Sequence, residues 1–168
     1  MEKNVKIGFI GAGKMASAII KGLIKTGFAK PENVMATQAE LDSLKEKSDY
    51  LGIKVISDNK TLVEFADVIF IATKPNQVVD VLKEISPLLT EKKLLVSIAA
   101  GVTTDKLQTN LKEEVRVIRV MPNTPALVGE GMSGMIGGKF ANEDDIIFVK
   151  SLLETIGKWV VLEDETQM

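Results

Sequence analysis

The chain has 168 residues, 45% hydrophobic and 26% charged, with a formal net charge of −2, a balance that fits one folded α/β domain and excludes a disordered chain. That small charge, carried by scattered rather than clustered lysines, gives no footprint for nucleic acid, and no apolar run reaches membrane-spanning length. Cys and His are both absent, which removes disulfides, thiolate nucleophiles, the usual zinc sites, Ser-His-Asp hydrolysis and histidine acid–base catalysis, so any reaction must need little proton transfer. Met1 to Asn4 leads straight into apolar sequence without a charged-then-apolar leader, so the expected location is cytoplasmic.

Lys6 to Ile10 reads as a buried strand, Gly11-Ala12-Gly13 as a turn, and Lys14 onward as a helix with Met15, Ala16, Ile19, Ile20, Leu23 and Ile24 at helical spacing and Gly27 as its stop. Gly11 suits a tight turn, Gly13 leaves the backbone open to a pyrophosphate, and Ala16 lets the helix lie close to the strand. A helix N-terminus also attracts an anion, by about 0.3–1 kcal/mol per charge where exposed. A dinucleotide is the expected ligand; a plain glycine turn between strand and helix is the alternative.

Asn33 to Ala36 forms a second strand, after which Thr37 and Gln38 fall where a dinucleotide site meets the adenosine ribose. The acidic residue that binds the NAD 2′-hydroxyl is missing there, which favours NADP; no Arg replaces it, and Glu40 lies close by. Leu41 to Leu51 reads as a charged surface helix ending at Gly52. Next come the strand Ile53 to Ile56, a turn at Ser57-Asp58-Asn59 and a short helix Thr61 to Phe65.

Val68 to Ala72 is a continuous apolar run of the kind buried on both faces of a parallel sheet. It ends in Thr73-Lys74-Pro75-Asn76, where Pro75 can open the helix that carries Val78, Val81, Leu82 and Ile85 inward. Lys74 thereby stands at a strand's carboxyl end, the ligand side of an open α/β sheet; a solvated loop lysine is the plain alternative. Leu94 to Ile98 is another buried strand, and the small residues Ala99-Ala100-Gly101 after it admit a flat ring or simply a tight loop. Thr103 can cap a helix to Leu111. Val115 to Val120 then runs into Met121-Pro122-Asn123-Thr124-Pro125, whose prolines could hold the Asn123 amide and Thr124 hydroxyl toward a ligand or merely end the strand. Met132 to Gly138 is a glycine-dotted strand, Glu143, Asp144 and Asp145 read as solvated partners of a helix dipole rather than a metal site, and Lys158 to Leu162 is a last strand. No metal site is expected.

Four of these loops together resemble the pyrroline-5-carboxylate reductases: Phe9 to Ala16, Ala72-Thr73-Lys74-Pro75, Ser97-Ile98-Ala99-Ala100-Gly101, and Val117 to Pro125, the last being the most specific. The resemblance spans essentially the whole chain. It implies a Rossmann-like, doubly wound, mostly parallel α/β sheet with additional C-terminal strands. A single NADP-binding domain would span residues 1–163, and residues 164–168 would start the connection to a helical dimerisation domain that the sequence lacks. Ile10, Gly11, Ala12, Gly13, Lys14 and Met15 would hold the pyrophosphate of NADPH, preferred over NADH. Thr37 and Asn59 would lie near the adenosine ribose and its phosphate, and Ala72, Thr73, Lys74 and Pro75 along the middle of the cofactor. Ala99 and Ala100 would border the nicotinamide. Lys74, Asn123 and Thr124 would position the reactants. Thr73 stands where that family commonly has an aliphatic residue, and the second-strand loop lacks the Arg sometimes found there.

The implied reaction is hydride transfer to the cyclic imine of 1-pyrroline-5-carboxylate, giving L-proline. The whole protein would be a homodimer or higher homo-oligomer joined through the helical domain, and this domain alone would turn over little. Two other readings are a noncatalytic NADP-binding module and another small NADP-linked dehydrogenase of the β-hydroxyacid type. Such dehydrogenases usually rely on a lysine from a following domain and lack the Met-Pro-Asn-Thr-Pro loop.

Overall fold

The apolar runs and their intervening amphipathic segments form a three-layer α/β arrangement in the computed structural model, which describes residues 4–112 and 114–168. Of residues 1–4, where no leader is expected, only Asn4 falls within the described residues. In chain order the elements are β1 (Ile7–Ile10), α1 (Lys14–Lys25), β2 (Val34–Thr37), α2 (Leu44–Leu51), β3 (Lys54–Ile56), α3 (Asn59–Phe65), β4 (Val68–Ile71), α4 (Val78–Ile85), β5 (Leu94–Ser97), α5 (Thr104–Thr109), β6 (Arg116–Met121), β7 (Gly131–Gly137), α6 (Glu143–Leu153) and β8 (Gly157–Val161). The strands make one 8-stranded sheet in the order β3-β2-β1-β4-β5-β6-β7-β8. Every pairing is parallel except β6 with β7, so the doubly wound, mostly parallel sheet with added C-terminal strands is borne out.

Alternation within the strands divides the core in two. Ile7, Phe9, Phe70 and Val96 face α1 and α6 with Ile19, Ile20, Leu23 and Leu152, while Ile10, Ile69, Ile71 and Leu95 face α3 and α4 with Leu62, Val78, Leu82 and Ile85. All these side chains are essentially out of water, and each such Ile, Leu or Phe contributes about 1.5–3 kcal/mol relative to exposure. Phe9 and Phe70 stack with ring centroids 4.5 Å apart, fixing β1 against β4 on the first face. On the second, a Cβ at Gly8 would stand 2.5 Å from Leu62 Cδ2, so glycine is what lets α3 lie close to β1.

Local polar groups move several boundaries. The segment expected as one helix from Leu41 to Leu51 is a 3₁₀ turn, Leu41–Ser43, followed by α2. Ser43 Oγ donates to Glu40 O at 3.3 Å and accepts from Gln38 Nε2, which tightens that first turn. The short helix expected at Thr61 begins at Asn59, because Asp58 Oδ1 accepts from Lys60 N at 3.2 Å and Oδ2 from Thr61 Oγ1 at 2.6 Å. These bonds also hold the Asp58 carboxyl below its ordinary value, the Thr61 hydroxyl first among the causes. A 3₁₀ turn, Pro75–Gln77, precedes α4, and α5 stops at Thr109, where Asn110 Nδ2 donates back to Lys106 O at 2.8 Å.

The acidic start of α6 divides by burial, which corrects the expectation of a solvated cluster. Glu143 and Asp144 are exposed, whereas Asp145 is fully buried, closes a reciprocal cap with Asn142 and pairs with Arg116 of β6. Among the described residues, no helix is long and apolar enough to cross a membrane.

Candidate functional site

The winding of the sheet reverses at β1, which lies between β2 on one side and β4 on the other, so the crossovers leaving their carboxyl ends part and open a crevice. Three backbone bonds brace that edge: Gly11 N donates to Thr37 O at 3.2 Å, Ala72 N to Ile10 O at 2.9 Å, and Ile98 N to Ile71 O at 3.1 Å. Gly11 has φ +102°, and a Cβ there would sit 2.6 Å from Ala72 O, so this turn accepts only glycine without strain. Gly13, at the N-cap of α1, has nothing within 4 Å of where a Cβ would be. It provides no side-chain cap, and the first turn of α1 has no acidic residue, so the helix presents unpaired N–H groups to an open space without a repelling carboxylate.

That space is a cleft of about 1010 Å³. Ile10, Gly11, Ala12, Gly13, Thr37, Asn59, Ala72, Thr73 and Lys74 line it together. Thr37 Oγ1 donates to Asn59 Oδ1 at 2.7 Å, joining β2 to α3 where both line the cleft. Elsewhere on the lining, Thr73 Oγ1 is buried without a hydrogen-bond partner among the described residues. A buried hydroxyl left unpaired costs free energy that a ligand atom can recover. Lys74 is exposed beside it; its backbone N–H donates to Gln77 Oε1 at 3.3 Å, which leaves the ammonium unconstrained by that turn.

The remaining sequence-predicted residues, Lys14, Met15, Pro75, Ala99, Ala100, Asn123 and Thr124, are not among those that line the cleft. Lys14 and Met15 follow Gly13 in the first turn of α1, and Pro75 follows Lys74. Ala99 and Ala100 follow β5 on the same carboxyl edge, Ala99 buried and Ala100 exposed, with Ala99 N donating to Ser97 Oγ at 3.3 Å. Asn123 and Thr124 are exposed after β6. There Asn123 Oδ1 accepts from Met132 N at 2.9 Å, and the 3₁₀ turn Thr124–Val128 packs against α1.

Sequence reasoning missed the contribution of α2. Glu46, Lys47 and Tyr50 of that helix line the cleft, together with Ser43 of the 3₁₀ turn before it. Lys21 Nζ lies 3.5 Å and Lys47 Nζ 6.0 Å from the Tyr50 ring centroid, and the Lys21 hydrogen bond, before its charge, holds the phenol below its ordinary value. Helical spacing alone does not say which side of an exposed helix borders a ligand site. Ala39, Ser57, Gln77, Asp80 and Val81 also line the cleft and were likewise not singled out as site residues, and Gln38 and Glu40, read near the ribose position, complete the wall.

Residues 6–101 match the family described as NADP oxidoreductase coenzyme F420-dependent. The chain belongs to this family. Within it, the likeness to pyrroline-5-carboxylate reductases is borne out along nearly the full chain. The enzyme of that name from Methanosarcina acetivorans is 41% identical over 155 residues, 92% of this chain and 57% of the relative. The solved pyrroline-5-carboxylate reductase of Coxiella burnetii superposes with a TM-score of 0.91 at 33% identity, covering 98% of this chain and 61% of that one. The Plasmodium falciparum pyrroline carboxylate reductase, solved with NADP bound, superposes with a TM-score of 0.87 at 30% identity, over 99% of this chain and 61% of its own. The chain thus spans about three fifths of the length of the relatives it matches.

Proposed function

We propose that the cleft takes NADP(H) and that this chain is the cofactor-binding part of a pyrroline-5-carboxylate reductase. The observation that carries the reading is the convergence of the glycine turn, Thr37, Asn59, Thr73 and Lys74 on one cleft at the sheet's reversal point. The Plasmodium falciparum relative with NADP bound, of the same fold, supports the choice of ligand.

The residues suit such a ligand in three respects. The uncapped N-terminus of α1 offers N–H groups to a pyrophosphate, with space at Gly13 for its approach. Thr37 and Asn59 would supply polar groups for the adenosine ribose and its phosphate, while the orphaned Thr73 hydroxyl and the Lys74 ammonium would serve the middle of the cofactor; all four line the cleft. By the family resemblance, Ala99 and Ala100, which lie outside the cleft lining on the loop after β5, would border the nicotinamide, and Asn123 and Thr124 after β6 would lie on the substrate side. NADPH, when bound, supplies the hydride.

The protein's own task is alignment. A protonated cyclic imine is already electrophilic at its C=N carbon, so no strong protein acid is needed, which agrees with a chain without histidine or cysteine. Lys74 contributes positive charge and donors beside the reacting pair, and Asn123, its oxygen fixed by Met132 N, has its amide Nδ2 to present. The substrate is 1-pyrroline-5-carboxylate and the product L-proline; the protein acts as a homo-oligomer in the cytoplasm, assembled through the helical domain that the family resemblance implies.

Titration of the 168-residue chain with NADPH and NADH tests the cofactor. NADPH binds more tightly than NADH; no binding of either overturns the reading, and tight NADH with feeble NADPH overturns the cofactor preference. A longer protein that includes the helical domain reduces 1-pyrroline-5-carboxylate, whereas the 168-residue chain turns over little or not at all.

A further inference from the structure

On β6, Val117 and Arg119 share the face of the sheet turned toward α5, and Arg119 is only 5% exposed, opposite Ser97 at the end of β5. Burying a guanidinium is costly unless a carboxylate accompanies it. Glu165, in the turn Glu165–Gln167 and thus in the segment expected to start a connection, provides one: Arg119 Nη1 donates to Glu165 Oε1 at 3.2 Å. The same carboxylate accepts the Thr104 backbone N–H at 2.8 Å on Oε1 and the Thr104 hydroxyl at 2.9 Å on Oε2.

These bonds tie the start of α5 to β6, whose Arg119 already pairs with Ser97 of β5 in the sheet, and so bear on the two loops that leave β5 and β6 beyond that pairing. Thr104 opens α5 immediately beyond the Ala99-Ala100-Gly101 loop, and Arg119 lies just before Met121-Pro122-Asn123-Thr124. We infer that Glu165 and Arg119 are positioning residues that set the separation of these two loops, and with it the nicotinamide half of the cofactor site. The inference rests on the NADP(H) reading of the cleft. The adenosine half, at Gly13, Thr37 and Asn59, lies beyond β4 from this clasp and takes no bond from it. Loosening the clasp therefore acts on one half of the dinucleotide.

The test compares NADPH with 2′,5′-ADP, which presents only the adenosine half, on wild-type chain, Glu165→Ala and Glu165→Gln. Glu165→Ala weakens NADPH about three- to tenfold while 2′,5′-ADP stays within about twofold, and Glu165→Gln, which still accepts from Thr104, loses less. Equal loss for both ligands, or loss for neither, overturns the proposal and leaves the cofactor reading intact. So does wild-type NADPH binding no tighter than 2′,5′-ADP. Wild-type chain that binds neither ligand overturns the cofactor reading itself and the proposal with it. Thermal melts accompany each titration: if Glu165→Ala does not fold, Glu165→Gln decides, and loss of a cooperative melt in both makes Glu165 a folding residue and overturns the proposal.

Discussion

The hydroxyl of Thr37 donates to Asn59 Oδ1 at 2.7 Å, so the last residue of β2 and the first of α3 present one shared polar surface to the cleft. With its oxygen engaged, Asn59 has the Nδ2 donor to offer, the kind of group that a ribose hydroxyl or a phosphate oxygen accepts. Asn59→Asp keeps an acceptor for Thr37 but replaces that donor with negative charge. Repulsion between a carboxylate and a 2′-phosphate at a screened cleft mouth is worth about 1–2 kcal/mol. NADPH affinity therefore falls about tenfold more than NADH affinity. Equal loss for both cofactors, measured by fluorescence titration, would place the 2′-phosphate elsewhere.

Gly11 and Gly13 separate folding from binding within one turn. At Gly11, Ala would combine a φ of +102° with a Cβ 2.6 Å from a backbone carbonyl, a strain of about 1–3 kcal/mol. At Gly13 the backbone is extended at φ −77°, and the space around a Cβ is open. The cost of Gly13→Ala to the fold is that of a poorer N-cap, about 0.5–1 kcal/mol. Gly11→Ala accordingly lowers Tm the more, whereas Gly13→Ala folds and loses dinucleotide affinity because its methyl group fills the phosphate approach. A thermal melt paired with an NADPH titration on each variant checks both halves of this contrast.

The strands were legible because β1, β4 and β5 are apolar without alternation, which only a strand covered on both faces requires, and the structure buries all three on both sides. The glycine turn was legible for a similar reason, since Gly11 and Gly13 answer local backbone demands. What could not be read was pairing at a distance. Asp145 looked like its neighbours Glu143 and Asp144 because nothing local says that Arg116, on another element, will cover it. Lys47 and Tyr50 sit in a charged helical segment with little apolar periodicity, so the side facing the cleft is set by how α2 lies on β3. Arg119 read as one polar residue in a strand until the C-terminal turn brought Glu165 to it.

Asp145 provides the sharpest test of buried charge in the fold. Its side chain is fully out of water, and it both caps α6 and pairs with Arg116, whose side chain is 20% exposed. Asp145→Asn retains shape and one acceptor but leaves the guanidinium without its countercharge. Removing one partner of a buried pair costs about 3–5 kcal/mol, and the partial exposure of Arg116 puts this case at about 3 kcal/mol. The urea midpoint falls accordingly. Adding Arg116→Met recovers part of the loss by removing the unpaired cation; a double variant no more stable than the single would show that the cap, rather than the charge pair, carries the effect.

Lys93 gives the fold an alkaline signature. Its half-buried ammonium donates to Val63 O and Ala66 O, each at 2.7 Å, and so closes the C-terminal end of α3. Burial holds its pKa below the ordinary 10.5, with Asp67 and Glu64 offsetting part of that effect. A folded-state value below the unfolded one means that, between the two, the unfolded chain binds more protons, so Lys93 adds stability as pH rises through that window. Below the folded value, both states are protonated and the cost of burying the charge is borne in full. Relative to Lys93→Met, the wild-type chain therefore gains stability as pH rises toward the ordinary lysine value of 10.5, read as a widening difference in urea midpoint. A difference that narrows across that range would mean that the two carbonyl bonds, weakened on deprotonation, outweigh the desolvation of the charge, and one that stays constant would mean that the two effects cancel.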